Sequence, residues 1–273
     1  MTADAALAET GFQRLLELLR GLNSVAVACS GGLDSSLLLA AARLALGDRV
    51  LALTVVTPYM VTHEIAEARA LTAQLGVRHR VLELPMPNEI ADNPPDRCYL
   101  CKRVLFAELK SVATEEGFAW LADGSNRGDL ADYRPGMRAL RELEVRSPLL
   151  EADLGKAEIR RYARALNLPV WDKPASACLL TRLPHGTDVR FELLRWVEAA
   201  ESALRALGFG TVRVRCHDDL ARIEVDRAER ARLLDESVVS EVVAVLTRCG
   251  FRYVTLDLQG YRMGSFNALP SAE

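Results

Sequence analysis

Val25-Ala26-Val27-Ala28-Cys29-Ser30-Gly31-Gly32-Leu33-Asp34-Ser35-Ser36 runs from an apolar strand, through two glycines flanked by hydroxyls, directly into an apolar helix. Gly31 and Gly32 allow backbone N–H groups to approach an anion closely. Ser30 and Ser35 add donors, and the helix that follows turns its positive end into the same space. The stretch reads as a pyrophosphate cradle. It lacks the Gly-Lys-Ser/Thr of a Walker loop, so transfer of a γ-phosphate is disfavoured. An ordinary Gly-rich turn is the bland alternative; the register of strand, glycines, serines and aspartate argues against it. Asp34 either caps the helix or holds a Mg²⁺ at a departing pyrophosphate.

Outward from this loop, apolar runs alternate with helical patterns, the signature of βαβ units. Strands are expected at Val25 to Cys29, Val50 to Val55, Arg78 to Leu84 and Ala119 to Ala122. Helices are expected near Ser35 to Leu46, His63 to Leu75, Asp96 to Glu116 and Lys156 to Leu166. This predicts an α/β fold with a doubly wound, mostly parallel sheet, its ligand at the carboxyl ends of the strands. The pattern changes after an irregular stretch from Pro169 to Pro184. A helix at Phe191 to Leu207, strands at Val212 to Cys216 and Ala221 to Val225, helical stretches over Ala228 to Arg248 and a strand at Arg252 to Leu256 predict a smaller α+β domain. Two domains are expected, 1–183 and 184–273.

Composition narrows the class. The 273 residues are 50% hydrophobic and 6% aromatic, ordinary for an α/β protein able to bury two cores. A net charge of −3 argues against a surface built to grip nucleic acid. No transmembrane run is visible, and the N-terminal pattern (Phe12, Leu15, Leu16, Leu18, Leu19) is an amphipathic helix rather than a signal peptide, so a cytoplasmic location is expected. In that compartment the six cysteines suit core, metal or catalytic roles better than disulfides.

Asp123-Gly124-Ser125-Asn126 ends the fourth strand with a second Gly/Ser/Asn turn at the same sheet edge. With Asp129, Asp132, Tyr133, Arg134, Pro135, Gly136 and Arg138 it reads as a nucleotide and metal contact, or as a turn followed by a solvated charge run. In Asn93-Pro94-Pro95-Asp96-Arg97-Cys98-Tyr99-Leu100-Cys101-Lys102 two thiols share a face in the first turns of a helix. The helix dipole, Arg97 and Lys102 favour their thiolate forms. Cys178 lies in the irregular Lys173-Pro174-Ala175-Ser176-Ala177-Cys178-Leu179-Leu180-Thr181-Arg182, whereas Cys29, Cys216 and Cys249 sit in apolar patterns and are expected to be buried. Cys98, Cys101 and Cys178 would leave one iron of a [4Fe–4S] cluster without a protein ligand, open to exogenous sulfide. Zinc is less attractive, because no histidine has the spacing of a fourth ligand.

In the C-terminal half Arg213, Arg215 and His217 alternate with apolar residues, as do Arg222, Glu224 and Asp226. Each strand therefore has one core face and one charged face. Arginines on one face can hold a phosphate or carboxylate, but a merely solvated face is the commoner outcome. Gly260-Tyr261-Arg262-Met263-Gly264-Ser265-Phe266-Asn267 adds a further cation, and Glu201 is a weaker metal candidate.

SGGLDS at 30–35 resembles the PP-loop ATP pyrophosphatases, which split ATP between the α and β phosphates. Taken with DGSN and DYRPG, KPxSACLxxR, RVRxH, ARIEV and GYRxGS in this order, the chain resembles the LarE family, the ATP-dependent sulfur transferases of the nickel-pincer nucleotide pathway. The likeness spans nearly the whole chain and implies an adenine nucleotide α-hydrolase-like first domain. It implies ATP with Mg²⁺ and, as substrate, pyridinium-3,5-biscarboxylic acid mononucleotide, converted to the bisthiocarboxylic acid. It also implies adenine against Leu53 to Val55 around Thr54, ATP at Ser30, Gly31, Gly32, Asp34, Ser35, Gly124, Ser125, Asn126 and Arg138, catalytic parts for Cys178, Asp34 and Lys102, and substrate contacts at Arg182, Arg213, Arg215 and Arg262. A homo-oligomer joined through its C-terminal domains is implied too.

The family has a sacrificial form, in which one cysteine surrenders its sulfur, and a three-cysteine cluster form. Cys178 matches the donor of the first, and Cys98 and Cys101 complete the second. Gly128 departs from the pattern, standing where the family often has an acidic residue. A tRNA-thiolating PP-loop enzyme would need a basic surface, a nucleotide sensor would use the cradle for binding alone, and an amidating ligase would want a glutaminase domain.

Overall fold

The computed structural model describes residues 2–131, 135–174 and 177–262. Asp132, Tyr133 and Arg134 of the second turn motif, Ala175 and Ser176 of the Cys178 segment, and Met263 to Asn267 lie outside the described residues. The chain divides into two compact units, one of Met1–Thr57, Thr62–Pro87 and Asp96–Ser176, the other of Pro58–Val61, Asn88–Pro95 and Ala177–Glu273.

The first unit carries helices α1 (Ala3–Leu7) and α2 (Thr10–Gly21), strand β1 (Val25–Ala28), α3 (Leu33–Leu46), β2 (Val50–Val56), α4 (Thr62–Gln74), β3 (Arg78–Glu83), α5 (Arg97–Glu115), β4 (Leu121–Ala122), α6 (Gly136–Glu142), α7 (Pro148–Glu151) and α8 (Lys156–Ala165). Its four strands are parallel in the order β3-β2-β1-β4. Strand order reverses at β1, so the crevice outside β1 and β4 is the topological switch point. The short, Val- and Ala-rich β1 is buried on both faces, as parallel strands are. Helix α3 buries Leu37, Leu38, Leu39, Ala40, Ala41 and Ala42 together, and is enclosed by the core rather than lying on it. Helix α2 meets that core with one stripe, Phe12, Leu15, Leu16 and Leu19. Fusing strand pattern to helix pattern, the sequence reading anticipated this sheet; β4 is shorter than expected, and α3 starts at Leu33 rather than Ser35.

The second unit carries α9 (Phe191–Ala206), β5 (Val212–His217), β6 (Leu220–Val225), α10 (Glu236–Cys249) and β7 (Tyr253–Leu256). Strands β5 and β6 form an antiparallel hairpin turned at Asp218, whose φ is +56°, and β7 lies parallel to β6. The expected helical span over Ala228 to Arg248 divides into a 3₁₀ turn at Arg232–Leu234 and α10. The nominally irregular stretch before Pro184 includes another 3₁₀ turn, Leu179–Arg182. Segments 58–61 and 88–95 join this unit by hydrogen bonding: Leu179 donates to the Tyr59 carbonyl at 3.2 Å, and the buried Asn93 amide donates to the carbonyls of Leu180, Leu183 and Pro184 at 3.3, 3.1 and 2.8 Å. These distant partners make the unit discontinuous, whereas a single division near 183 was expected. Of the cysteines expected in the core, Cys29 and Cys216 are buried and Cys249 is only half-buried. No described helix is long and apolar enough to cross a membrane.

Helix α10 stops at Gly250, whose φ is +122° and whose missing Cβ would lie 2.2 Å from the Trp196 ring. Gly186, at φ +72°, faces open space. Gly186→Ala therefore bears the backbone penalty alone, about 1 kcal/mol. Gly250→Ala adds overpacking and is expected to lose about 3 kcal/mol in urea unfolding; equal losses would show that Trp196 yields freely.

Candidate active site

The loop after β1 is tied to itself and to α3. The Ser30 amide donates to Ser35 Oγ at 3.2 Å, the Ser35 hydroxyl lies 3.2 Å from both Ser30 Oγ and the Gly32 carbonyl, and Ser36 N–H donates to Gly32 O at 3.0 Å. Gly31 has φ +74°, and a Cβ there would lie 2.7 Å from the Glu64 carbonyl on α4. Only glycine fits, in conformation and in space. Gly32 is the N-cap of α3 and makes no side-chain cap bond. Asp34 therefore does not cap the helix as one reading held; it lies in the first turn and pairs with Lys156 at the start of α8.

The turn after β4 closes on the same place. A Cβ on Gly124 would come within 2.9 Å of the Ser35 amide and 3.1 Å of Asp34 Cβ. The buried Asp123 accepts from the hydroxyls of Ser125 and Ser147, both at 2.6 Å, and Lys102 Nζ stands 3.9 Å from its Oδ2. Asp129 Oδ2 accepts from the Asn126 amide at 2.9 Å, and Gly128 N–H donates to Asn126 Oδ1 at 3.0 Å. Asn126 is fully buried, yet its Nδ2 has no hydrogen-bond partner among the described residues. A donor left in this state at a glycine-lined crevice fits a ligand acceptor. Arg138 is not drawn into the turn: its guanidinium lies 3.6 Å from the Tyr99 ring centroid and 3.3 Å from Glu142.

Two cations at the loop escaped the sequence reading. Lys156 reaches Asp34, and Lys173 reaches Glu67, with Glu64 Oε1 and the Gly31 carbonyl each at 3.5 Å. They stand where a Walker lysine would act, on a loop that has none. Lys173 opens the motif that carries Cys178, which was the signal available for it.

Thr54 is buried near the end of β2. Its hydroxyl donates to the Cys29 carbonyl at 2.6 Å and meets His79 Nε2 at 2.8 Å. Cys98 is exposed and Cys101 half-buried, one turn apart at the start of α5, and Cys178 is half-buried in the second unit. None of the six cysteines forms a disulfide. Among the described residues no group of three or more His, Cys, Asp and Glu side chains stands ready to hold a metal.

The charged face of β5 and β6 is buried, not solvated as their alternation suggested. Arg213 and Arg215 are 9% and 5% exposed and Glu224 is fully buried. Glu224 pairs with Arg215 at 2.7 Å and with Arg222 at 3.3 Å. Arg213 lies 5.3 Å from the Tyr261 ring, and burial, with Arg182 second, pushes its pKa down. Arg182 is also buried; it donates to both oxygens of Glu201 at 2.8 and 3.0 Å, and to the carbonyls of Ala177 and Cys178 at 2.8 and 3.2 Å. Its guanidinium thus holds the backbone at Cys178 as well as Glu201. Glu201 also accepts from Arg205 and the Val214 amide, which leaves it no oxygen for the metal once considered. Arg262 pairs with Gln259.

Residues 16–114 match the asparagine synthase family. An uncharacterised protein of Synechocystis sp. is 39% identical, over 95% of this chain and 97% of its own length. The pyridinium-3,5-bisthiocarboxylic acid mononucleotide synthase of Lactiplantibacillus plantarum is 40% identical, over 93% and 92%. A glutamine-hydrolysing GMP synthase component of Methanococcus vannielii is 30% identical over about half of each chain, 52% and 50%.

Burial alone would raise the Glu201 pKa, but the Arg182 hydrogen bonds and charge outweigh it and hold the carboxyl below its ordinary value. A carboxylate depressed on folding adds stability above its unfolded pKa and loses it as pH falls through the folded one. Glu201→Gln leaves Arg182 buried without its counter-charge and is expected to lose about 3–5 kcal/mol at neutral pH. In urea unfolding repeated at about pH 4 and below, the wild type should fall toward the variant. Parallel curves would contradict the ion pair.

Proposed function

The chain belongs to the LarE family of PP-loop sulfur transferases, and we propose that it activates the carboxylates of pyridinium-3,5-biscarboxylic acid mononucleotide with ATP and replaces AMP by sulfur. A carboxylate resists attack because its leaving group would be oxide. When a carboxylate oxygen attacks the α-phosphorus, a P–O bond forms, the bond to the β-phosphate bridge breaks, and pyrophosphate departs. Sulfur then adds to the acyl carbon, the C–O bond to phosphorus breaks, and AMP carries the electron pair away.

The observation that carries this reading is the meeting of two glycine turns at the switch point, with Gly31 and Gly124 packed against backbone and the Asn126 amide open to an acceptor. Ser30, Gly31, Gly32 and Ser35 receive the pyrophosphate, and Lys156 and Lys173 offset the charge that develops on it. Asp34 would hold Mg²⁺, an ion that commonly takes one or two carboxylates and completes its shell with phosphate and water. Thr54, with Leu53 and Val55, borders the base, Gly124 and Ser125 complete the nucleotide site, Arg138 joins it only on leaving Tyr99 and Glu142, and Lys102 faces the reacting phosphate. Arg213, Arg215 and Arg262 hold the substrate phosphate and carboxylates. Arg182 orients Cys178. The first unit thus adenylates, and the second binds substrate and joins copies of the chain.

The sulfur source is the finer part of the proposal. Cys98, Cys101 and Cys178 are all free thiols, the donor chemistry that suits iron–sulfur ligation, and would together hold the cluster. When bound there, a [4Fe–4S] cluster would supply sulfide from an iron that no cysteine ligates. The half-buried Cys178, with its carbonyl held by Arg182, favours a second reading in which that residue gives up its own sulfur. The net charge of −3 agrees with a small-molecule substrate rather than nucleic acid, and a cytoplasmic location belongs to the same proposal.

Anaerobically purified protein is expected to carry iron and acid-labile sulfide, and to keep its intact mass through turnover with ATP and the pyridinium mononucleotide. Cys98→Ala should abolish both the metal content and thiocarboxylate formation. Protein free of iron, or a loss of H₂S from the chain after one round, would overturn the cluster reading.

A further inference from the structure

His79 on β3 is half-buried, and neither the loop nor the proposed chemistry calls for it. It nevertheless lies on a continuous line of hydrogen bonds that ends at the nucleotide loop. Thr72 Oγ1, on α4, is 3.1 Å from His79 Nδ1; His79 Nε2 is 2.8 Å from Thr54 Oγ1; Thr54 Oγ1 is 2.6 Å from the Cys29 carbonyl.

Proton accounting gives this line a direction. A hydroxyl has one proton, and an oxygen pair at 2.6 Å against a carbonyl requires it to lie between them. Thr54 therefore donates to Cys29, and His79 Nε2 must carry a hydrogen and donate to Thr54. Burial, with Arg69 second, lowers the His79 pKa. The Thr72 hydroxyl donates to the Arg69 carbonyl at 2.9 Å and lies 3.1 Å from Nδ1, so the hydrogen on Nε2 is the one on which the line to Thr54 depends.

The Cys29–Ser30 peptide, at the end of this line, is the first peptide of the anion loop. Its carbonyl is held by Thr54, and its N–H by Ser35 Oγ at 3.2 Å. With both ends tied, the plane of the peptide is set, and with it the direction in which the next amides point. We infer that His79 is a positioning residue for ATP, which through Thr54 orients the opening peptide of the phosphate-binding loop without touching the nucleotide. The inference rests on the proposed binding of ATP at that loop, and the two can fail separately.

Imidazole ¹⁵N shifts of the wild-type protein should report a protonated Nε2 at neutral pH; a bare Nε2 overturns the relay. In pyrophosphate-release assays His79→Leu is expected to raise the KM for ATP about tenfold, the worth of one strong hydrogen bond, with kcat and melting temperature near the wild-type values. His79→Gln, which restores an N–H donor, should recover most of the loss. A KM unchanged in His79→Leu, or raised alike in His79→Gln, overturns the positioning role. Calorimetric titration of the wild type with ATP separates the premise: if the wild type itself binds no ATP, the proposed function falls, whatever the tautomer.

Discussion

A Cβ on Gly31 would come within 2.7 Å of the Glu64 carbonyl, and one on Gly124 within 2.9 Å of the Ser35 amide. Backbone against backbone at these separations is the constraint on which the site depends. It brings the end of β1, the start of α3, the start of α4 and the turn after β4 to one point. Amide donors can then converge on an anion that arrives later, which is how a loop without a Walker lysine retains electrostatic strength. The lysines that serve it come from farther along the chain, and Asp34, Glu64 and Glu67 hold them in place beforehand.

The second unit solves a different problem. A buried arginine is tolerable only when its charge and its donors are matched. Glu201 takes two donors of Arg182, and Glu224 pairs with Arg215 and Arg222, so the unit keeps cations inside at moderate cost. Arg182 also grips the carbonyls of Ala177 and Cys178, so the thiol segment inherits its order from an ion pair. The buried ion pair and the Cys178 backbone thereby share one guanidinium.

Much of the first unit was legible because its signals are local. The apolar runs at Val25 and Val50, the glycine pair and the long apolar helix each declare themselves within a dozen residues. The pairings of Lys156 and Lys173 were not legible, since their partners Asp34, Glu64 and Glu67 are far off in the chain, although Lys173 does open the motif that carries Cys178. Alternation over Val212 to His217 correctly showed two faces, but a period of two says nothing about what covers the second face. The Glu224 carboxylate that neutralises this face pairs with Arg215 from the neighbouring strand and with Arg222 on its own strand, contacts that alternation does not show. The contacts of Arg182 with Glu201 and with the carbonyls of Ala177 and Cys178 were not legible, because an arginine near a cysteine reads equally as a substrate clamp and as a backbone tie. Thr54 was marked for its backbone, while its hydroxyl carries the contact to Cys29.

The central claim is that ATP is spent on a carboxylate oxygen of the substrate. Labelling both carboxylates of the pyridinium mononucleotide with ¹⁸O and analysing the nucleotide product by mass spectrometry tests it directly. Adenylation predicts AMP that carries one ¹⁸O for each thiocarboxylate formed, together with unlabelled pyrophosphate. Unlabelled AMP, or ADP with phosphate in place of AMP with pyrophosphate, would contradict it.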